Sequence, residues 1–269
     1  MNPNGVAWRV QREAVILLGG RRALLMQIAH PAVAAAVAEH SDFKQDPFGR
    51  LRRTIEPMFT LAFGTVEQAE AAYRQIDSVH ARVRGQVRSP AAADALAGGV
   101  FYNARDPDLL MWVHATLVDT AMLVYRRMAG ELGRRDARQF YEESKIVARL
   151  FRIPEGLIPS GLGEFQRYLR EMIERGPVRV SATARELARS ILYPPVPLVP
   201  SFAFDVVNIV TAGLLPAPLR EQFGLRWSPA RRLLSDAAEA AIWMTLPILP
   251  EVLRIVPAAR AAERAIKAS

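Results

Sequence analysis

Four histidines, at positions 30, 40, 80 and 114, are the only side chains of this 269-residue chain that ordinarily titrate near neutrality, and no cysteine accompanies them. The lack of thiols removes disulfides, thiolate metal sites, iron–sulfur clusters and cysteine nucleophiles together. Any metal must be held by histidine, by carboxylate or within an organic cofactor. The histidines do not form the H-E-x-x-H pair of a zinc protease, and no two Glu-x-x-His pairs suggest a di-iron bundle. The G-x-S-x-G elbow of many serine hydrolases is absent.

The informative histidine is His80. In the stretch EQAEAAYRQIDSVHARVRG, Ala72, Ile76, Val79 and Val83 recur at three- and four-residue steps, and His80 falls within that stripe. Its imidazole is therefore expected to face a core, where it needs a hydrogen-bond partner or a metal, because burial without one costs about 1–3 kcal/mol. A lone inward histidine is most often a core residue bonded to a carbonyl. His114 repeats the pattern, in line with Leu110, Leu117, Ala121 and Val124. Arg50, Arg53 and Thr54 share one helical face, and Arg82 and Arg84 follow His80 closely. An inward histidine with arginines nearby suits haem: an axial ligand, cations for two propionates and an apolar slot between helices. On physical grounds haem is one option among several.

The elements that must position these residues read as successive helices. Residues 6 to 19 and 21 to 39 are apolar-periodic, with Pro31 expected to kink or divide the second beside His30. His40-Ser41-Asp42 reads as a turn, and Asp46-Pro47 as the cap and first residue of the helix carrying Arg50, Arg53 and Thr54. Thr65 caps the His80 helix and Gly85 is expected to end it. Asp106-Pro107 starts a long helix through His114, and further helices cover about 136–151, 164–175, a short stretch from Ser181 to Tyr193, 201–214, 228–246 and 250–267. No strand alternation is sustained and no repeat of fixed period occurs. The chain is read as all-α, a single multi-helical domain over residues 1–269.

Composition sets the remaining bounds. The chain is 51% apolar, enough for a substantial core, and carries a formal charge of +8 from 35 basic residues, of which only Lys44, Lys145 and Lys267 are lysines. That arginine excess suits phosphate, carboxylate or membrane surfaces, but no nucleic-acid module accompanies it. The N-terminal run AVILL lacks the cleavage site of a signal peptide. The apolar window from Val199 to Pro218 is interrupted by Asp205, Asn208, Gly213 and prolines, so it does not read as a membrane span. The expected location is cytoplasmic, with peripheral membrane contact compatible with the charge.

The ordered motifs HPAVAAAVAEHSDF, DPFGRLRRT, VHARVRG and YNARDPDLLMWVHATL, followed by FRIPEGLIP and LLPAPLREQFGLRW, resemble the haem-dependent oxygenases of the rubber oxygenase (latex clearing protein) and mpaB-like family over nearly the whole chain. The resemblance implies an all-helical fold enclosing a b-type haem, with His80 as the axial iron ligand. It also puts Arg50 and Thr54 by the haem, Arg53 on its distal side, Arg84 at a propionate and His114 on the neighbouring helix. Rubber-cleaving members carry lysine where this chain has Arg53; a guanidinium does not readily ligate iron as a neutral amine, so a hydrogen-bonding role is expected instead. Glu39 is not assigned as a base, Arg52 and Arg82 are read as solvated, and His30 as structural. The implied partners are dioxygen, a lipophilic, isoprenoid or lipid substrate and an electron donor. The competing readings are a haem protein without oxygenase turnover and a haem-free helical lipid-binding or membrane-surface protein.

Overall fold

The computed structural model describes residues 1–40, 47–86, 101–194 and 201–268, with the side chains of 47–54 and 201–203 outside that description. Its axis is a helix whose beginning is written in two residues. Asp106 accepts the Asp108 N–H at 2.9 Å, and Pro107 supplies a first helical residue that needs no N–H partner. The resulting helix, Pro107–Met128, ends on Arg126 and Arg127, which suit the negative end of its dipole. It buries Met111, Trp112, His114, Val118, Val124 and Met128 among its neighbours, and Trp112 donates its indole N–H to the Met26 carbonyl at 3.2 Å.

The flanking helices are α1 (Val6–Gln11), α2 (Gly20–Ile28), α3 (Pro31–His40), α4 (Pro47–Phe63) and α5 (Val66–His80) before this axial helix, α6. After it come α7 (Arg134–Leu150), α8 (Leu162–Glu174), α9 (Ala182–Leu192), α10 (Ser201–Leu214), α11 (Ala217–Gln222), α12 (Pro229–Thr245), α13 (Glu251–Arg254) and α14 (Pro257–Ala268). Helix α6 packs against α1, α2, α7, α12 and a 3-10 turn at Ala14–Gly19. The fold is all-α, as expected.

Pro31 divides α2 from α3 cleanly at His30. Three differences have identifiable causes. Residues 6–19 break at Arg12-Glu13, where Glu13 bridges to Ile255. Residues 250–267 divide around Ile255-Val256 before Pro257. The His80 helix ends at His80 itself, because Arg84–Gln86 (β1) leaves the helix to pair antiparallel with Phe101–Asn103 (β2). Gly85 therefore serves a close approach rather than a helix end: a Cβ there would lie 2.5 Å from the Tyr102 hydroxyl.

The two ends of the described chain are clasped together. Arg254 donates to both carboxylate oxygens of buried Glu13 at 2.9 and 3.0 Å, and the Val256 N–H donates to the Arg12 carbonyl at 2.9 Å. Glu263 accepts from the Trp8 indole at 3.0 Å and pairs with Arg12 at 3.0 Å.

A second polar junction lies deeper. The Arg22 guanidinium, 3% exposed, donates to the Leu214 carbonyl at 2.7 Å, to the Thr120 hydroxyl and to the Asp119 carboxylate. It thereby ties α2, α6 and the end of α10. Replacing it strands an acceptor and a carboxylate, so Arg22→Met should lower unfolding stability by about 3 kcal/mol. Urea denaturation measures this; a loss under about 1 kcal/mol would show that the junction is dispensable.

Candidate functional site

Helix α5 is fixed at its start by a capping box. Thr65 Oγ1 accepts the Gln68 N–H at 3.3 Å, and Gln68 Oε1 accepts the Thr65 N–H at 2.9 Å. Fifteen residues later it delivers His80, its last residue, half-buried. The stripe expected around it is only partly inward: Ala72 is buried and Ile76 and Val83 are half-buried, but Val79 is 52% exposed.

What faces His80 is aromatic. Its ring centroid lies 6.5 Å from Phe151, at the end of α7, and Tyr73, two turns back on α5, meets the same Phe151 edge-on at 5.4 Å. The seven-residue spacing of Tyr73 and His80 is consistent with this shared face, although Tyr73 was not singled out from the sequence, and nothing in the sequence identifies Phe151 as its partner. Burial is the main cause lowering the His80 pKa, opposed by Asp77 and reinforced by Arg105. Arg105 in turn holds Asp77 through bonds of 2.6 and 2.9 Å. Among the described residues the His80 ring makes no hydrogen bond.

His114 is more deeply buried, and its Nε2 has no hydrogen-bond partner among the described residues. Burial alone depresses its pKa to about 4. The other two histidines are engaged. His30 Nδ1 accepts the Ala32 N–H at 3.3 Å, as expected for a residue that serves the break at Pro31. His40 Nε2 lies 3.0 Å from the Tyr102 hydroxyl, which donates to Glu39 Oε2 at 2.6 Å, so the imidazole N–H is the donor in that contact. This Glu39–Tyr102–His40 group, gathered where α3 meets β2, was not read from the sequence, although each member lies in a motif quoted above.

The four histidines thus separate by chemistry. His30 and His40 each have one ring nitrogen hydrogen-bonded, whereas the His80 ring makes no hydrogen bond and His114 Nε2 has no partner among the described residues. A neutral imidazole is the ligating form of histidine. Among the described residues no three His, Asp or Glu side chains converge as a metal-ligand set. A metal at His80 or His114 would have to bring most of its own ligands, as haem iron does. The unpartnered Nε2 of His114 and the unbonded nitrogens of the His80 ring are of the kind that could serve as an axial ligand to haem iron.

Arg84 lies exposed on β1, opposite Asn103. Arg82 is also exposed, donating to the Ser78 carbonyl at 3.3 Å, in keeping with a solvated face. Arg50, Arg53 and Thr54 lie on α4, which packs along α5, but their side chains fall outside the described residues, as does that of Arg52. A cavity of about 370 Å³ between α6, α7 and α8 is lined by Met122, Leu132 and Leu162 with Arg126, Arg134 and Arg138; none of the residues singled out from the sequence lines it.

Residues 8–246 match the family described as ER-bound oxygenase mpaB/B'/rubber oxygenase, catalytic domain. An uncharacterized protein of Mycobacterium tuberculosis and one of Mycobacterium bovis are each 27% identical over 216 residues, covering 78% of this chain and 80% of theirs. No solved structure matches the chain.

Burial lowers His30 to about 4, with Asp106 opposing the shift. Its neutral form is thus favoured by folding: this contribution is complete above the ordinary value of 6.5 and is lost as pH falls toward 4, where the unfolded chain binds a proton that the folded one refuses. Denaturant midpoints measured between about pH 7.5 and 4.5 should decline for the parent protein and decline less steeply for His30→Gln. Equal slopes would show that other groups govern the loss.

Proposed function

The chain belongs to the mpaB/rubber oxygenase catalytic-domain family, and we propose that it is a haem b-dependent oxygenase acting on a lipophilic substrate, with His80 as the axial ligand to iron. The observation that supports this reading is the state of the histidines: His30 and His40 each have one ring nitrogen hydrogen-bonded, whereas among the described residues the His80 ring makes no hydrogen bond and the buried His114 Nε2 has no partner. The chain has no cysteine, so histidine is its natural strong axial donor.

When bound, haem supplies the activation of dioxygen, which protein side chains do not provide. The chain's own residues supply orientation and charge. Phe151 lies beside the His80 ring, and desolvation favours the neutral imidazole. His114 offers a buried nitrogen from α6, suited to orienting the site. Arg50, Thr54 and Arg84 would hold the haem edge and its propionates. Arg53, which stays protonated, would donate a hydrogen bond on the distal side rather than ligate iron. The substrate class in this reading is an apolar, isoprenoid or lipid chain, oxidised by double-bond cleavage or by monooxygenation.

Absorption spectra and haem extraction on protein from haem-supplied cells test the assignment. The parent should carry a Soret band and about one haem per chain, His80→Ala should lose it, and His114→Ala should weaken haem retention about tenfold. Haem retained unchanged by His80→Ala would move the ligand to His114, and a haem-free parent would overturn the reading. Oxygen uptake on lipophilic alkenes then separates an oxygenase from a haem protein without turnover.

A further inference from the structure

Helix α12 carries large apolar side chains on its outer side. It buries Ser235 and Glu239, one turn apart, and exposes Leu233, Leu234, Trp243 and Met244. The inward polar residues are satisfied: Glu239 accepts from Arg127 at 3.0 Å through both oxygens, and from the Ser235 hydroxyl at 3.1 Å. The seam is also close, since a Cβ on Gly213 of α10 would fall 2.2 Å from the Ser235 hydroxyl. Helix α12 is thus docked through these polar contacts together with Ala238 and Ile242, and Leu233, Leu234, Trp243 and Met244 are left outward.

The exposure continues beyond the helix. Ile248, between Pro247 and Pro250, is 79% exposed, and Val252 and Leu253 on α13 are exposed as well. Helix α13 packs on the 3-10 turn Ala14–Gly19, whose Leu17 and Leu18 are exposed too. Soluble surfaces scatter such residues singly, so a concentration of this kind marks an interaction face. The surrounding charge points to its occupant. Residues 226–268 carry six arginines and one lysine against four acids; Arg254 is engaged by Glu13, and two of the acids, Glu239 and Glu263, are engaged by Arg127 and Arg12, which leaves the remainder strongly cationic. A second copy docking face to face would set this cationic rim against itself. An anionic lipid surface would neutralise it while receiving the apolar side chains, and an exposed tryptophan suits the boundary between headgroups and acyl chains.

We propose that the face carrying Leu233, Trp243, Met244, Ile248, Val252 and Leu253 docks peripherally on an anionic lipid bilayer. No described helix is long and apolar enough to cross a membrane, so the contact is with the surface. The proposal does not rest on the haem reading.

Flotation of the full chain with vesicles of phosphatidylcholine containing phosphatidylglycerol tests it. The parent should bind these vesicles, less tightly as salt rises, and Ile248→Asp and Leu253→Asp should each weaken binding about tenfold without lowering the melting temperature. Tryptophan emission should shift to the blue on binding, and Trp243→Phe should abolish the shift. The proposal is overturned if the parent fails to float, if its binding ignores salt, or if the aspartate variants float equally well. It is also overturned if light scattering shows a dimer that the aspartate variants dissolve, which would assign the face to a second copy.

Discussion

A guanidinium cannot escape burial by losing its proton, and that constraint governs the middle of this fold. Arg22 must find a carbonyl, a hydroxyl and a carboxylate at once, and it finds them on α6 and at the end of α10. Apolar packing alone would tolerate some sliding of α2 along α6. A forked donor with three fixed acceptors does not, because each misplaced contact leaves a buried polar group unpaired. The register it sets extends both ways, through α2 to the break at His30 and along α6 to His114.

Local chemistry made helix beginnings readable. Asp106-Pro107 and Thr65 each satisfy orphan N–H groups with atoms only a few residues away, so their meaning does not depend on the rest of the fold. Helix ends were less legible. Gly85 has the residue type of a terminator, yet its role is set by the Tyr102 ring, which approaches from a strand more than a dozen residues later. Val79 fits the periodic stripe of α5 but is exposed, because the helix stops one residue after it and the chain turns toward the ribbon. In these cases the deciding neighbour was distant in sequence.

The candidate site shows the same division. The spacing in α6 correctly turned His114 inward, and the turn at Pro31 gave His30 its local partner. Phe151 beside His80, and the Glu39–Tyr102–His40 group, arise from contacts between elements that no periodicity encodes. Family membership names an oxygenase domain, while the hydrogen-bonding state of each imidazole distinguishes histidines that composition treats as equal. Burial of a ring is therefore less informative than whether the protein itself has already used its nitrogens.

The clasp between the two ends orders events during synthesis. Trp8, Arg12 and Glu13 are made more than 240 residues before their partners Arg254, Val256 and Glu263. Until then the Glu13 carboxylate, buried in the finished protein, has no cation to meet it. The segment around Trp8–Glu13 consequently cannot complete its docking until the segment around Arg254–Glu263 has been made, and closure of the fold waits for it.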